Sequence, residues 1–236
     1  MFKHLAVVLK GSKELVREKK LKAKGILFDL DGTLVDSRDA YVEAARTAFE
    51  ALGQTPPSNL MALEIPRRLE QNLPIDDIVK TNVGKFLNSY LECYYKVTKI
   101  RTTPMPNVQD TLEILSRKVK LALVTMRFVP KTVIWEDLTE FGLAKYFTYI
   151  VTALDTHKPK PSPEALIKTG KALDVNMCDC VFVGDSIIDV RAGKAAGAMT
   201  VAVLSGLFSR ETLSQEKPDL ILNDATELPL FLDFTN

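Results

Sequence analysis

The stretch Gly25-Ile26-Leu27-Phe28-Asp29-Leu30-Asp31-Gly32-Thr33-Leu34 constrains the fold more than any other part of the chain. An apolar run that ends abruptly in a carboxylate has the pattern of a buried strand in a parallel sheet. Open α/β sheets place their ligands at the carboxyl ends of such strands. Asp29 and Asp31 stand two positions apart, so on extended backbone their side chains point the same way. Gly32 then turns the chain. An Asp-Gly turn is also a common way to end a strand, so the meaning of this stretch depends on how the other strands end.

Those strands come late. The segment 36–103 shows no strand pattern. Asp36 and Ser37 offer an N-cap, and Tyr41, Ala44, Ala45, Ala48, Phe49 and Leu52 follow at helical spacing until Gly53 and Pro56-Pro57 stop the helix. A second helical piece is expected at 59–71, broken or kinked by Pro66, and a third at 75–97. A return linker containing Pro104 and Pro106 follows. From there strands expected at 120–125, 149–152, 180–185, 200–204 and 220–222 alternate with helices at 108–118, 131–141, 164–173 and 186–196. Such alternation implies parallel strands joined by right-handed crossovers. The expectation is therefore an α/β fold: a doubly wound, Rossmann-like parallel sheet with an inserted all-helical cap domain. The core would comprise 1–35 and 104–236, and the cap 36–103.

Charge excludes some partners. The net charge of +1 conceals a basic N-terminal extension: residues 1–24 carry eight Lys/Arg against two Glu, which leaves the remainder at −5. Such a run is commonly a solvated helix face, here expected at 12–24 after a possible added edge strand at 5–9. The rest of the chain shows no basic domain with interleaved aromatics, so no nucleic-acid partner is expected. Cys93, Cys178 and Cys180 are an odd number without framework spacing, which suggests a reducing compartment. The apolar run 5–9 is too short for a membrane span or a signal-peptide core. A cytoplasmic protein, monomeric or homodimeric, with no membrane partner is expected.

The strand ends carry chemistry. Asp29 and Asp31 close the first, Thr125 the second and Asp185 a later one, while Lys158 lies in a proline-stiffened loop beyond another. In a parallel sheet these ends share one edge. Clustered carboxylates repel unless a cation joins them, and oxygen-only ligands favour Mg²⁺. Carboxylate-held Mg²⁺ beside a lysine describes a phosphoryl site. Asp29 could attack phosphorus, Asp31 could move protons, and Thr125 and Lys158 could hold the phosphoryl oxygens. Each has a plainer reading. Thr125 is a good strand former, Lys158 suits a solvated loop, and Asp189 completes a Ser186-x-x-Asp189 helix cap. Their joint placement at strand ends favours the site.

Together, Asp29-Leu30-Asp31-Gly32-Thr33-Leu34, Thr125, Lys158-Pro159 and Gly184-Asp185-Ser186-x-x-Asp189 resemble the haloacid dehalogenase superfamily of hydrolases, from about residue 25 to 232. The helical insertion and Met105-Pro106-Asn107-Val108 resemble the cap and return linker of its phosphoglycolate-phosphatase and β-phosphoglucomutase branch. The resemblance implies Asp29 as nucleophile, Asp31 as general acid/base, and Thr125 and Lys158 as phosphate binders. It also implies Mg²⁺ on Asp29, the Asp31 carbonyl and Asp185, with Asp189 in support. A Mg²⁺-dependent phosphatase acting on a small phosphorylated metabolite such as phosphoglycolate is expected. The alternatives are a β-phosphoglucomutase-type isomerase, a pyrophosphatase, or a non-catalytic binding protein on this fold. A dehalogenase is disfavoured, because Asp31 is replaced in such relatives. The chain departs from the family in Met126-Arg127 after Thr125; Arg127 either adds a cation near the substrate or points to solvent, and solvent is the expectation. Arg67 and Arg68, beside the Pro66 break, either reach the crevice when the cap closes or form a solvated pair, and the solvated pair is the expectation.

Overall fold

The run Gly25–Phe28 is strand β2 and lies at the centre of a six-stranded sheet, every residue of it buried. The structure, a computed structural model, describes residues 20–80 and 82–233. The expected strand at 5–9 and most of the expected helix at 12–24 fall outside them. Within them, Leu21–Lys22 is not helical. It forms a short strand, β1, paired in parallel with the last strand of the chain. Leu21 packs on the core while Lys22 faces solvent, an alternation that suits a strand.

After β2 come β3 (Val35–Asp36) and three helices: α1 (Arg38–Ala51), α2 (Asn59–Glu70) and α3 (Val83–Arg101). Strand β4 (Thr103–Pro104) returns antiparallel to β3, so the segment that leaves the core and the one that re-enters it are stitched together. The helices enclose a core of their own, built from the alanine face of α1 with Phe49, Ile65, Phe86, Tyr90 and Tyr94. Aromatic rings run through it in succession: Phe49–Phe86 at 5.0 Å, Phe86–Tyr90 at 5.8 Å, Tyr90–Tyr94 at 6.4 Å and Tyr94–Tyr41 at 5.1 Å. Offset stacks and edge contacts at these spacings add to simple burial.

Two details differ from expectation. Helix α2 is continuous through Pro66, which is buried with Ala62 and Ile65; packing on that face holds the helix although one backbone bond is lost. The third helix starts at Val83, later than expected. Asn82 caps it by accepting from the Lys85 backbone N–H at 2.9 Å, while Ile75–Val79 forms a separate turn that still buries Ile78 and Val79.

The core then proceeds through α4 (Val108–Ser116), β5 (Lys120–Val124), α5 (Lys131–Glu140), β6 (Tyr149–Val151), α6 (Glu164–Leu173), β7 (Cys180–Gly184), α7 (Ile187–Ala196) and β8 (Met199–Val203). It ends in α8 (Arg210–Gln215), β9 (Leu220–Leu222), α9 (Leu228–Phe231) and β10 (Leu232–Asp233). The sheet order is β6-β5-β2-β7-β8-β9, and all its pairings are parallel. Successive residues of β2 serve opposite layers. Ile26 and Phe28 meet Leu112, Leu115, Ile134 and Leu138 from α4 and α5, whereas Leu27 meets Leu166, Leu173 and Ala192 from α6 and α7. The chain runs outward from β2 in one direction, then returns to β7 and runs outward in the other. A crevice opens at such a reversal, beyond the carboxyl ends of the two strands involved. Asp29 follows one of them and Asp185 the other. No helix among the described residues is long and apolar enough to cross a membrane.

Candidate active site

Asp29 leaves β2 with its backbone N–H bonded to Val183 O of β7 at 2.8 Å, so the strand pairing sets its position. Its carboxylate takes an ammonium at Oδ1, 2.5 Å away, and that ammonium belongs to Lys160. Lys160 also donates to Asp189 Oδ1 at 2.6 Å and to the Val124 carbonyl at 3.3 Å. It is only 5 % exposed. Lys158, the lysine expected here, does not line the crevice. It is exposed, and its backbone N–H and that of His157 donate to the Glu164 carboxylate at the start of α6. This bond turns the loop so that the second lysine of Lys158-Pro159-Lys160-Pro161 enters the crevice.

Asp189 keeps both roles weighed for it. Its Oδ2 accepts from the Ser186 hydroxyl at 2.6 Å and the Ser186 N–H at 3.1 Å in a complete capping box, while its Oδ1 serves Lys160. Asp185 is seated by what is missing around it. A Cβ on Gly206 would lie 1.7 Å from Asp185 Oδ2, and one on Gly32, at φ +84°, would lie 2.6 Å from it. Only glycine fits beside that carboxylate. Its Oδ1 accepts from Thr33 Oγ1 at 3.2 Å.

Asp31 is held from three sides. Arg127 Nε donates to Oδ2 at 2.9 Å and Nη2 to Oδ1 at 2.7 Å, the fork geometry of a strong charge-assisted pair. The Ser37 hydroxyl donates to Oδ1, so Ser37 occupies the N-cap position of α1 without giving it a side-chain cap. The Tyr94 phenol hydrogen-bonds the same carboxylate, and Tyr41 hydrogen-bonds Tyr94. Burial pushes Asp31 upward, yet the charge and hydrogen bonds of Arg127, with those of Ser37 and Tyr94, outweigh it and hold the group below the usual carboxylate range. Arg127 therefore does not point to solvent. It is 4 % exposed and its Nη1 donates to Asp137 Oδ2 of α5 at 3.0 Å, giving a buried Asp31–Arg127–Asp137 chain. Thr125 is buried at the end of β5, its Oγ1 accepting from the Arg127 backbone N–H at 3.1 Å. Arg67 and Arg68 pair with Glu64 and Asp77 and do not line the crevice.

The helical layer covers the crevice in part and leaves an open-mouthed cavity of about 160 Å³. Its core wall includes Asp29, Asp31, Lys160 and Asp185, and its cap wall includes Tyr41, Glu70, Tyr90, Tyr94 and Tyr95. Besides the bonds of Ser37 and Tyr94 to Asp31, the Phe128 backbone N–H donates to Tyr95 Oη at 3.0 Å and Lys99 pairs with Glu140 at 2.6 Å across the layers.

The comparisons with known proteins agree with this geometry. A profile of the haloacid dehalogenase-like hydrolases matches residues 26–203. The chain belongs to this family. It is 30% identical over 213 residues to phosphoglycolate phosphatase 1 of Pseudomonas aeruginosa, covering 86% of this chain and 77% of that one. It is 31% identical over 216 residues to a phosphoglycolate phosphatase of Pseudomonas syringae pv. tomato, covering 87% and 78%. Among solved structures, a haloacid dehalogenase-like family hydrolase of Streptococcus pneumoniae superposes with a TM-score of 0.74 at 20% identity, covering 89% and 98%; at that identity the likeness concerns the fold.

As a haloacid dehalogenase-like hydrolase, the chain carries a buried acidic cluster of Asp29, Asp185 and Asp189, whose ligand atoms lie within 4.8 Å of one another. One ammonium faces these three carboxylates. Burial first, and neighbouring carboxylates next, push Asp29 up to about 7 and Asp185 well above its ordinary value. An oxygen-only donor set with surplus negative charge fits a hard dication. Asp189 already takes three donors, whereas Lys160 at Asp29 and Thr33 at Asp185 are the single side-chain donors to those two carboxylates, so Asp29 and Asp185 have the most lone pairs left.

Three residues line the cavity that the sequence did not place there: Lys160 and Glu70, which it did not single out, and Arg127, whose expected direction was solvent. Each left a trace. Lys160-Pro161 repeats Lys158-Pro159. Asp137 lies on the buried face of α5 with Ile134 and Leu138, and a carboxylate there needs a cation. Glu70 falls four residues after Pro66 and eight after Ala62, on the buried stripe of α2.

Proposed function

We propose that the chain is a Mg²⁺-dependent phosphatase that hydrolyses a small phosphate monoester through an aspartyl-phosphate on Asp29. The observation that carries this reading is the Asp29 carboxylate, gripped at Oδ1 by Lys160 at 2.5 Å and set beside Asp185 in a small cavity under the cap. Asp29 and Asp185, with the Asp31 carbonyl, would hold the metal. Bound there, Mg²⁺ supplies charge to offset the phosphoryl oxygens. Lys160 fixes the nucleophile through one oxygen, which leaves Oδ2 to approach phosphorus, and it adds a cation beside the group being transferred. Thr125, at the neighbouring strand end, offers its hydroxyl to the phosphoryl oxygens. Asp31 is the proton carrier. Protonated, it gives a proton to the departing alcohol. As the anion that Arg127 favours, it takes one from the water that attacks the aspartyl-phosphate. The cap keeps bulk water out while the intermediate exists. The relatives named phosphoglycolate phosphatase make that compound the first monoester to assay.

The test is phosphate release from p-nitrophenyl phosphate. Release that needs Mg²⁺, stops with a chelator and returns when the metal is restored is the expected result. Equal release with the metal stripped away would contradict the reading.

A further inference from the structure

The two walls of the cavity offer a ligand opposite chemistry. On the core wall, both cations are engaged: Lys160 lies between Asp29 and Asp189, and Arg127 between Asp31 and Asp137. These are the only cationic side chains lining the cavity among the described residues. On the cap wall, three tyrosine hydroxyls are spoken for, since Tyr41 and Tyr94 form the chain to Asp31 and Tyr95 accepts from Phe128. Two polar atoms remain. Glu70 Oε2 and Tyr90 Oη are buried without any hydrogen-bond partner, and Tyr90 is only 2 % exposed. Buried polar groups in folded proteins are almost always paired, so an orphaned carboxylate oxygen and an orphaned phenol facing one cavity point to a ligand that completes them.

A phosphoryl group bound at Asp29 directs the rest of its ester toward this cap wall. A leaving group that carries a carboxylate would find no free cation to receive it, in a crevice whose surplus of carboxylates already disfavours another negative charge at Glu70. An ammonium would instead favour the ionised form of Glu70 and pair with it, and would find a phenol oxygen able to accept its N–H and the rings of four tyrosines, whose faces attract cations. The cavity has room for on the order of ten water-sized spheres, which suits a phosphoryl group with a short chain.

We propose that the substrate is the phosphate monoester of a short amino alcohol, its ammonium held by Glu70 and Tyr90. The proposal rests on the phosphatase reading and specifies the leaving group. A panel of near-isosteric esters tests it with Mg²⁺ present: phosphoethanolamine carries the cation, 2-hydroxyethyl phosphate is neutral, and phosphoglycolate carries the anion. With the native enzyme, kcat/KM is expected to fall in that order, by about tenfold at each step. Glu70→Gln should bring phosphoethanolamine down to the neutral ester, mainly through KM, and Glu70→Lys should favour phosphoglycolate. Phosphoglycolate as the best substrate of the native enzyme would overturn the proposal. So would an unchanged order in Glu70→Gln accompanied by a raised Mg²⁺ requirement, because Glu70 would then serve the metal. Hydrolysis of p-nitrophenyl phosphate separates the two levels: turnover of it with the wrong ester order overturns the leaving-group proposal alone, and no turnover of any ester overturns the phosphatase reading as well.

Discussion

The sheet edge and the cap treat their polar groups differently. At the sheet edge, most of the charged groups are tied to one another. Asp29, Asp189 and Lys160 hold together, Asp31 and Asp137 share Arg127, and Asp185 sits where Gly32 and Gly206 leave it space. The cap builds a hydrophobic core of stacked rings yet turns an unpaired glutamate and an unpaired phenol inward. The difference teaches a division of labour. Groups locked by strand pairing and by one another are preorganised, as phosphoryl chemistry requires, whereas Glu70 Oε2 and Tyr90 Oη are left for a ligand to complete under the leaving-group proposal.

Apart from loss of the nucleophile itself, the largest expected effect breaks the locked half. Lys160→Met should lower kcat for p-nitrophenyl phosphate by about 10²–10³, while Lys158→Met, two residues away on the exposed side of the same loop, should leave it within about twofold. Steady-state kinetics of the two variants settles which lysine the site uses; equal losses would mean that the loop as a whole, and not the buried ammonium, matters. Gly206→Ala should come next, with a fall of about 10²-fold, since the added methyl displaces Asp185 from its seat. Raising Mg²⁺ should recover part of that loss, and a Mg²⁺ titration of kcat/KM measures how much.

The smallest effect sharpens the unlocked half. Burial, followed by the nearby Asp189 and Asp29, pushes the Glu70 carboxyl from its ordinary 4.5 up to about 8. The folded protein thus holds this proton more tightly than the unfolded chain does. Stability from this group is full below pH 4.5 and is lost as pH rises through about 8. In the metal-free protein, Tm should fall across that window, and Glu70→Gln should fall less. Parallel profiles for the two proteins would place the titrating group elsewhere.

Much of this was legible in the residues. The apolar run 25–28 ending in Asp29, and 180–184 ending in Asp185, name their own strands, because a strand buried on both faces leaves little room for polar side chains. Parallel pairing then carries both aspartates to one edge. The helical layer was legible from the spacing of Ala44, Ala45, Ala48 and Phe49. What the sequence concealed lies in loops and at helix ends, where no period fixes the direction of a side chain. Between Lys158 and Lys160 the deciding contact is Glu164, which holds the loop backbone from a helix that begins later. Arg127 looked like a solvent-facing departure because its partners, Asp31 and Asp137, are 96 and 10 residues away. Pro66 promised a broken helix, and packing kept it whole.

The account stands on Asp29 as the atom donor to phosphorus, and one measurement reaches that directly. The enzyme is mixed with Mg²⁺ and p-nitrophenyl phosphate, quenched in acid during turnover, digested and analysed by mass spectrometry. The account predicts one phosphoryl group on the peptide that contains Asp29, lost on treatment with hydroxylamine and absent from Asp29→Asn, which should also lose roughly 10⁴-fold or more of its activity. An Asp29→Asn protein that still turns over substrate at the native rate, or a phosphoryl group found on another residue, would contradict it.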